Sequence, residues 1–418
     1  MTDSRVSTLL TPLQPGERIE VMDVLRGIAL LGILLMNIEG FVGPLSLSST
    51  GLNPDLVGAN RAVDWLIYVF VQGKFVTLFS LLFGMGFAVM LERAELRGDL
   101  GGKVYTRRLF ALLGFGIAHA LLLWAGDILI AYALVGFVLL LLFRNASVTQ
   151  LPIWAISSAL AFVGVLLALG LVMQLFVTTP DGKAMMAEIA AESIATVEAE
   201  RQAYGSGTYL QATGQRAKDA WANLFSLPVS GLMILVMFLL GAWFVRAGVM
   251  RDTVSHAPLF RKMLFVGAFV GFPMMLISAI AMPTVEITEM TLLTMSWQSV
   301  ALIAGILMSL GYASAIVLAM HHDVWRRRLA WLAPAGRMAL TNYLMQSLVC
   351  TLIFYGYGLG LFEKLPRAWQ PLFVVALFTG QVMSSRWWLS RFRYGPMEWL
   401  WRWMTYGQRQ PVRLPTTA

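Results

Sequence analysis

The chain is poor in cysteine, in histidine and above all in charge. One cysteine, Cys350, stands in 418 residues, which excludes an intrachain disulfide framework and a thiolate metal site. The four histidines are His119, His256, His321 and His322, and no zinc-ligand spacing links them, so no metal is expected. Charged residues make up 13% of the chain, against about 25% in soluble globular domains. That scarcity, with 58% hydrophobic residues and a mean hydropathy of +0.70, excludes a soluble globular protein. The expected fold is all-α, a polytopic integral membrane bundle whose first partner is the lipid bilayer. The net charge of +8 is not a nucleic-acid signal, because basic residues in such a chain mostly report topology. Low-complexity tracts and internal repeats are also lacking.

What is there is a series of apolar runs. Ten are long enough to cross about 30 Å of hydrocarbon, near 22–39, 75–92, 106–124, 127–143, 152–177, 227–245, 263–282, 297–320, 338–355 and 369–385. Residues 60–73 are too short and polar to cross and read as an interfacial or re-entrant helix. The first run reads as a retained span: Asp23 and Arg26 open it, and no small-residue cleavage site follows. With the N-terminus inside, the inner segments hold 22 Lys and Arg, the outer ones 8, and Arg26 lies in the first span. Both ends are therefore expected in the cytoplasm.

The chain divides into a cytoplasmic start (1–21), a five-span bundle (22–177), an extracytoplasmic insertion (178–226), a second five-span bundle (227–385) and a basic-aromatic cytoplasmic tail (386–418). Within the insertion, "KAMMAEIAAESIATVEAERQAY" reads as an amphipathic helix, and "GSG" separates it from a second helix. With six acidic and four basic residues it is a near-neutral cap or a solvated connector.

Polar groups inside a bilayer are expensive, about 2.5–3.5 kcal/mol for a central Arg, Lys or Asp on insertion scales. Each retained one is a functional candidate with a plainer alternative. Asp23, Arg26 and Asn37 share a face of the first span. Arg26 is either an interfacial ion-pair partner or part of a phosphate site, and Asn37 near the outer mouth is otherwise an interhelical hydrogen-bonder. Thr77, Ser80 and Gly84 read as a close-packing face. "RRLFALLGFGIAHALLLWAGDILIAYALVGF" is the richest stretch. Arg108 marks its inner mouth, His119 lies past the midplane, Asp127 sits at the hairpin, and Tyr132 follows on the returning helix. An imidazole with a carboxylate nearby is the pair that general-base chemistry needs. The alternatives are a structural hydrogen bond for His119 and a helix cap for Asp127. Arg337 opens the ninth span, where Asn342 and Gln346 share a face. The tail "RWWLSRFRYGPMEWLWRWMTYG" suits an interface anchor.

Several segments together resemble one family. "LRGIALLGILLMNI", "GKFVTLFSLLFGMGF", "HALLLWAGDILIAYALVG", "GRMALTNYLMQS" and "RYGPMEWLWRWMTYG" are similar to the YeiB-like family of bacterial inner-membrane proteins, which carries domain of unknown function 418. The likeness runs over nearly the whole chain and implies a multi-pass protein of the inner membrane. More distantly, D-x-x-R-G-x-A at Asp23 to Ala29 resembles the first span of transmembrane acyltransferases. In the polysaccharide enzymes of that group a catalytic His falls fourteen residues after the Asp; here Asn37 stands there, which moves any base to His119.

The resemblance implies a transmembrane acyltransferase-like activity with no permanently bound cofactor. Acyl-CoA would be the cytoplasmic co-substrate, met by Arg26, Arg108 and Arg337. His119 and Asp127 would be catalytic, Asn37 or Asn342 would face the oxyanion, and an envelope glycan or lipid would accept the acyl group. Gln346 and Tyr132 are the remaining candidate binding residues. Export of a small solute and a non-enzymatic structural or sensory role stand as alternatives. The small-residue faces are compatible with a homodimer.

Overall fold

The computed structural model describes residues 19–95, 102–284 and 290–414. Residues 1–18 of the start expected in the cytoplasm and residues 415–418 of the tail lie outside the described residues. Helices make up the fold, and pairing among the described residues is limited to two isolated bridges, Gly51 with Thr284 and Phe392 with Arg413.

Each of the ten apolar runs falls on helix. Helix α1 (Glu20–Val42) starts with Glu20 and Asp23 in its first turn, where acids complement the helix dipole. The segment read as interfacial or re-entrant is α2 (Gly58–Phe70), ended before Gly73, whose φ of 79° suits glycine. Next come α3 (Lys74–Glu95), α4 (Lys103–Leu122), α5 (Leu129–Phe143) and α6 (Gln150–Phe176). The amphipathic α7 (Pro180–Gly205) opens on Thr179, whose side chain accepts from the Gly182 N–H, with Pro180 in the first turn. A capping box of Thr208 and Gln211 starts α8 (Tyr209–Arg246). This helix runs 38 residues through Pro228, so the second insertion helix and the sixth span are one rod, and the boundary at 226 falls inside it.

The seventh run is α9 (Ala257–Val266) and α10 (Phe272–Ala281), joined by a π-helical turn at Gly267–Gly271. Long α11 (Leu292–Ala319) is followed by short α12 (Asp323–Leu329) and α13 (Ala333–Arg337). The last two runs are α14 (Ala339–Phe354) and α15 (Gln370–Leu389), and α16 (Pro396–Tyr406) lies in the tail. Six helical segments are long and apolar enough to cross a membrane by length and composition; α5 and α14 are shorter apolar helices.

Burial is inverted in the way lipid demands. On α6, Ile153, Ile156, Leu160 and Leu175 are all more than 60% exposed. Water does not tolerate such a stripe on a monomer, whereas helices satisfy their own backbone groups in hydrocarbon. Small residues bring the inner helices together. A Cβ on Gly84 would lie 2.2 Å from the Phe238 carbonyl oxygen, and one on Gly241 2.1 Å from that of Leu81, so α3 and α8 touch backbone to backbone.

One end of the bundle carries most arginines. The other is covered by α7, the start of α8 and the Tyr355–Trp369 connection. There Glu200 holds the backbone N–H and hydroxyl of Ser46 at 3.1 and 2.9 Å. Tyr204 donates to Asp219, and its ring stacks on Tyr355. The insertion is thus a packed cap.

Candidate functional site

A cavity of about 280 Å³ enters from the basic end. Its mouth is lined by Arg26, Arg93, Arg108, Arg337 and Arg402 with the carboxylates Asp23 and Glu398. Local packing explains why two of these arginines meet. A Cβ on Gly336 would lie 2.0 Å from the Asp23 carbonyl oxygen, and one on Gly27 2.5 Å from that of Leu332. The glycine of the D-x-x-R-G pattern therefore lets α13 rest directly on α1, and the neighbouring residues Arg26 and Arg337 both open into the cavity.

Arg26 is steered by Asp23, one turn earlier at 2.8 Å. The Arg108 guanidinium lies 3.5 Å over the Trp401 ring, and the Trp401 indole donates to the Arg108 carbonyl at 3.0 Å. A cation on an indole face keeps its charge in a partly dry site. Glu398 accepts from the Thr341 backbone and hydroxyl at 3.0 and 2.6 Å, and burial pushes its carboxyl above the usual range. Both anions at the mouth are thus engaged, and its net character is cationic.

Phe79, Phe83, Leu30, Ile33 and Leu112 form apolar walls, and Tyr132 and Tyr343 stand at the far end. Tyr132 shares a 2.7 Å hydrogen bond with Ser80 and donates to the Val76 carbonyl. Tyr343 points its hydroxyl at the Gly126 carbonyl, 3.4 Å away.

Behind Tyr343 lies a buried polar line. His119 Nδ1 is 2.8 Å from Asp127 Oδ1, and His119 Nε2 is 2.7 Å from Ser347 Oγ. His119 and Ser347 are each 1% exposed. A carboxylate only accepts, so Nδ1 carries a proton; in the neutral imidazole Nε2 is then the lone-pair nitrogen and Ser347 donates to it. The other Asp127 oxygen accepts the Ile130 N–H at 2.7 Å. Asp127 therefore caps α5 and orients His119 at once. The His119 ring centroid lies 4.9 Å from that of Tyr343, so the imidazole backs directly onto the cavity's end wall.

Of the expected residues, His119 and Asp127 are in contact, and Arg26, Arg108, Arg337 and Tyr132 line one cavity. Asn37 lies half-buried one turn beyond Ile33 and does not line it. Nor do Asn342 and Gln346, which face α15: the Asn342 amide donates to Ser385 Oγ at 2.9 Å and the Gln346 amide to Gln381 Oε1 at 2.9 Å. Ser347, Arg93 and Arg402 were not expected. Ser347 lies one turn from Tyr343 on a helix whose larger polar residues, Asn342 and Gln346, face α15 instead, so its own signal is weak. The aromatic richness of the tail reads as an anchor and conceals Arg402. Polar residues at the far mouth of α1 also find a use. Glu39 pairs with Arg367 at 3.0 Å, and Arg367 reaches Asp64 of α2 at 2.9 Å, locking α1, α2 and the α14–α15 connection together at the capped end.

Fold and site define a class: a polytopic α-helical membrane protein with a cationic cavity ending against a buried carboxylate–imidazole–hydroxyl line. Residues 244–408 match the family described as "Protein of unknown function (DUF418)". The chain is 36% identical to "Uncharacterized protein YxaH" of Bacillus subtilis (strain 168), over 97% of this chain and 99% of that protein. It is 35% identical to "Uncharacterized protein YeiB" of Escherichia coli (strain K12), over 95% and 98% respectively. The chain belongs to this YeiB-like DUF418 family. No solved structure matches it.

Proposed function

We propose that the protein is a transmembrane acyltransferase of the bacterial inner membrane. It moves an acyl group from cytoplasmic acyl-CoA to an envelope glycan or lipid. The observation that carries this reading is a cavity with five arginines at its mouth and apolar walls, whose Tyr343 end wall is backed by the His119–Asp127 pair. The charge asymmetry of the loops puts the basic mouth in the cytoplasm. There Arg26, Arg108 and Arg337, joined by Arg93 and Arg402, meet the CoA phosphates through charge-assisted hydrogen bonds. Arg108 and His119 are eleven residues apart on α4, about 16 Å along its axis. An extended pantetheine arm bridges such a gap and delivers the thioester to the end wall. His119, held in the base-ready tautomer by Asp127, takes the proton of the attacking hydroxyl or amine.

A second reading, export of a small anionic solute, is favoured by the cap over the far end. Arg216 there donates to the Leu121 and Leu123 carbonyls at 2.9 and 3.2 Å and closes the α4–α5 hairpin. Inside-out vesicles given radiolabelled acetyl-CoA separate the two. Label moving onto envelope material with wild-type chain and not with His119→Gln supports transfer. Solute flux without label transfer supports export and overturns the enzyme.

A further inference from the structure

We infer that Ser347 is the nucleophile of a two-step transfer and carries the acyl group as an ester between donor and acceptor. This rests on the acyltransferase reading.

Serines inside these membrane helices ordinarily give their hydroxyl to a backbone carbonyl, as Ser278 and Ser309 do to Trp297 and Lys74 at 2.9 and 3.0 Å. Ser299 donates to the Met295 carbonyl at 2.7 Å and Ser314 to that of Leu310 at 2.7 Å, one turn back in each case. Ser347 instead gives its hydroxyl to His119 Nε2, a residue 228 positions away. Both distances in the Asp127–His119–Ser347 line fall in the range at which a base activates a hydroxyl through an oriented imidazole. A hydroxyl retained only for packing has no need of an imidazole whose other nitrogen is fixed by a buried carboxylate. Ser347 also sits on the face of α14 that carries Tyr343, one turn beyond it, so it is the first nucleophile behind the end wall of the cavity. The Tyr343 hydroxyl reaches the Gly126 carbonyl over a long 3.4 Å, and a turn of the ring would open the path.

In the first step His119 Nε2 takes the Ser347 proton while Oγ attacks the thioester carbonyl. The carbon–sulfur bond breaks, the imidazolium returns its proton to the thiolate, and free CoA leaves. In the second step His119 takes the proton of the acceptor hydroxyl or amine, whose oxygen or nitrogen attacks the ester carbonyl. The bond to Ser347 Oγ breaks, and the proton returns to it. Burial of the line keeps water from the ester between the two steps.

The test uses the full chain in lipid nanodiscs, mixed with radiolabelled acetyl-CoA and quenched rapidly in denaturant. Wild type is expected to acquire close to one acetyl group per chain, found by peptide mass on Ser347, stable to neutral hydroxylamine and released by alkaline hydroxylamine. Ser347→Ala should lose the label. Ser347→Cys should become labelled as a thioester that neutral hydroxylamine releases, which guards against a misfolded alanine variant. The inference is overturned by label on another residue, by a folded Ser347→Cys chain that stays unlabelled, or by acceptor acetylation with no labelled Ser347 peptide. Acetylation of acceptor by Ser347→Ala at the wild-type rate overturns it too, and leaves direct transfer by His119 standing. Absence of both chain label and acceptor label in wild type overturns this inference together with the acyltransferase reading.

Discussion

His119 has both ring nitrogens committed, one to a carboxylate and one to a hydroxyl, and a packing role and a chemical role call for different replacements. Glutamine keeps a hydrogen-bonding side chain and cannot take a proton. His119→Gln is expected to remain folded while turnover falls by about 10²–10⁴, the range of general acid–base groups; acetyl transfer by a monodisperse purified variant checks it. Wild-type turnover in that variant would make the imidazole structural. The arginines act on binding instead. Arg26→Gln, Arg108→Gln or Arg337→Gln should each weaken CoA by about 1.5–3 kcal/mol, the worth of a hydrogen bond to a charged group, read by calorimetry. Three unchanged affinities would make them markers of topology only. At this scale legibility followed sequence distance. His119 and Asp127 are eight residues apart across a tight hairpin, so their proximity was readable, and the direct contact came from the fold. Ser347 comes from a helix more than two hundred residues on, and no local pattern announces such a pairing. Periodicity put Asn342 and Gln346 on one face without saying that the face meets α15.

Elements were legible wherever one apolar run made one helix, and less so where a polar and an apolar stretch share a rod. The insertion's second helix and the sixth span differ in composition, yet α8 continues through Pro228; because helices propagate once nucleated, a change of solvent does not end one. The α3–α8 contact gives a packing prediction. Gly84→Ala sets a methyl against the Phe238 backbone and should destabilise by about 1–3 kcal/mol, as overpacking does. Gly114→Ala, inside α4, meets nothing within 4 Å and should leave thermal unfolding in detergent unchanged or slightly raised, because alanine is the better helix former. The cap gives a pH prediction. Burial, with Asp219 nearby, pushes the Glu200 carboxyl up to about 7 from an ordinary 4.5, while its bonds to Ser46 oppose the shift. A group protonated in the folded state and ionised in the unfolded one contributes stability that is fully present below the unfolded pKa. That contribution is lost as pH rises through about 7. Proteolysis of the α7–α8 turn should therefore quicken as pH rises from about 4.5 to about 7 and level off above it, and Glu200→Gln should flatten the profile.

The whole molecule presents a polarity that no single element carries: arginines cluster at one end, and the near-neutral cap of α7 and α8 covers the other. Hydropathy locates the runs and the loop charges orient them, but only the folded bundle brings α1, α3, α4, α13 and α16 to one cavity. The cavity's meaning depends on which way it faces, because acyl-CoA and its phosphates are cytoplasmic. Loops that become inner ones when the N-terminus is inside carry 22 of the 31 Lys and Arg, the outer ones 8. Translocating short basic loops is unfavourable, so that contrast predicts the orientation. Ser206 lies exposed beside the cap and Ser255 exposed in the turn before α9, at the two opposite ends. Single cysteines at these positions report the two faces in a Cys350→Ser background, where the buried native thiol no longer contributes. An impermeant maleimide applied to intact cells should label the chain carrying Ser206→Cys and spare the one carrying Ser255→Cys until the membrane is permeabilised. The reverse pattern would turn the arginine mouth to the periplasm, where acyl-CoA is absent, and would remove the acyltransferase reading however well the cavity fits its donor.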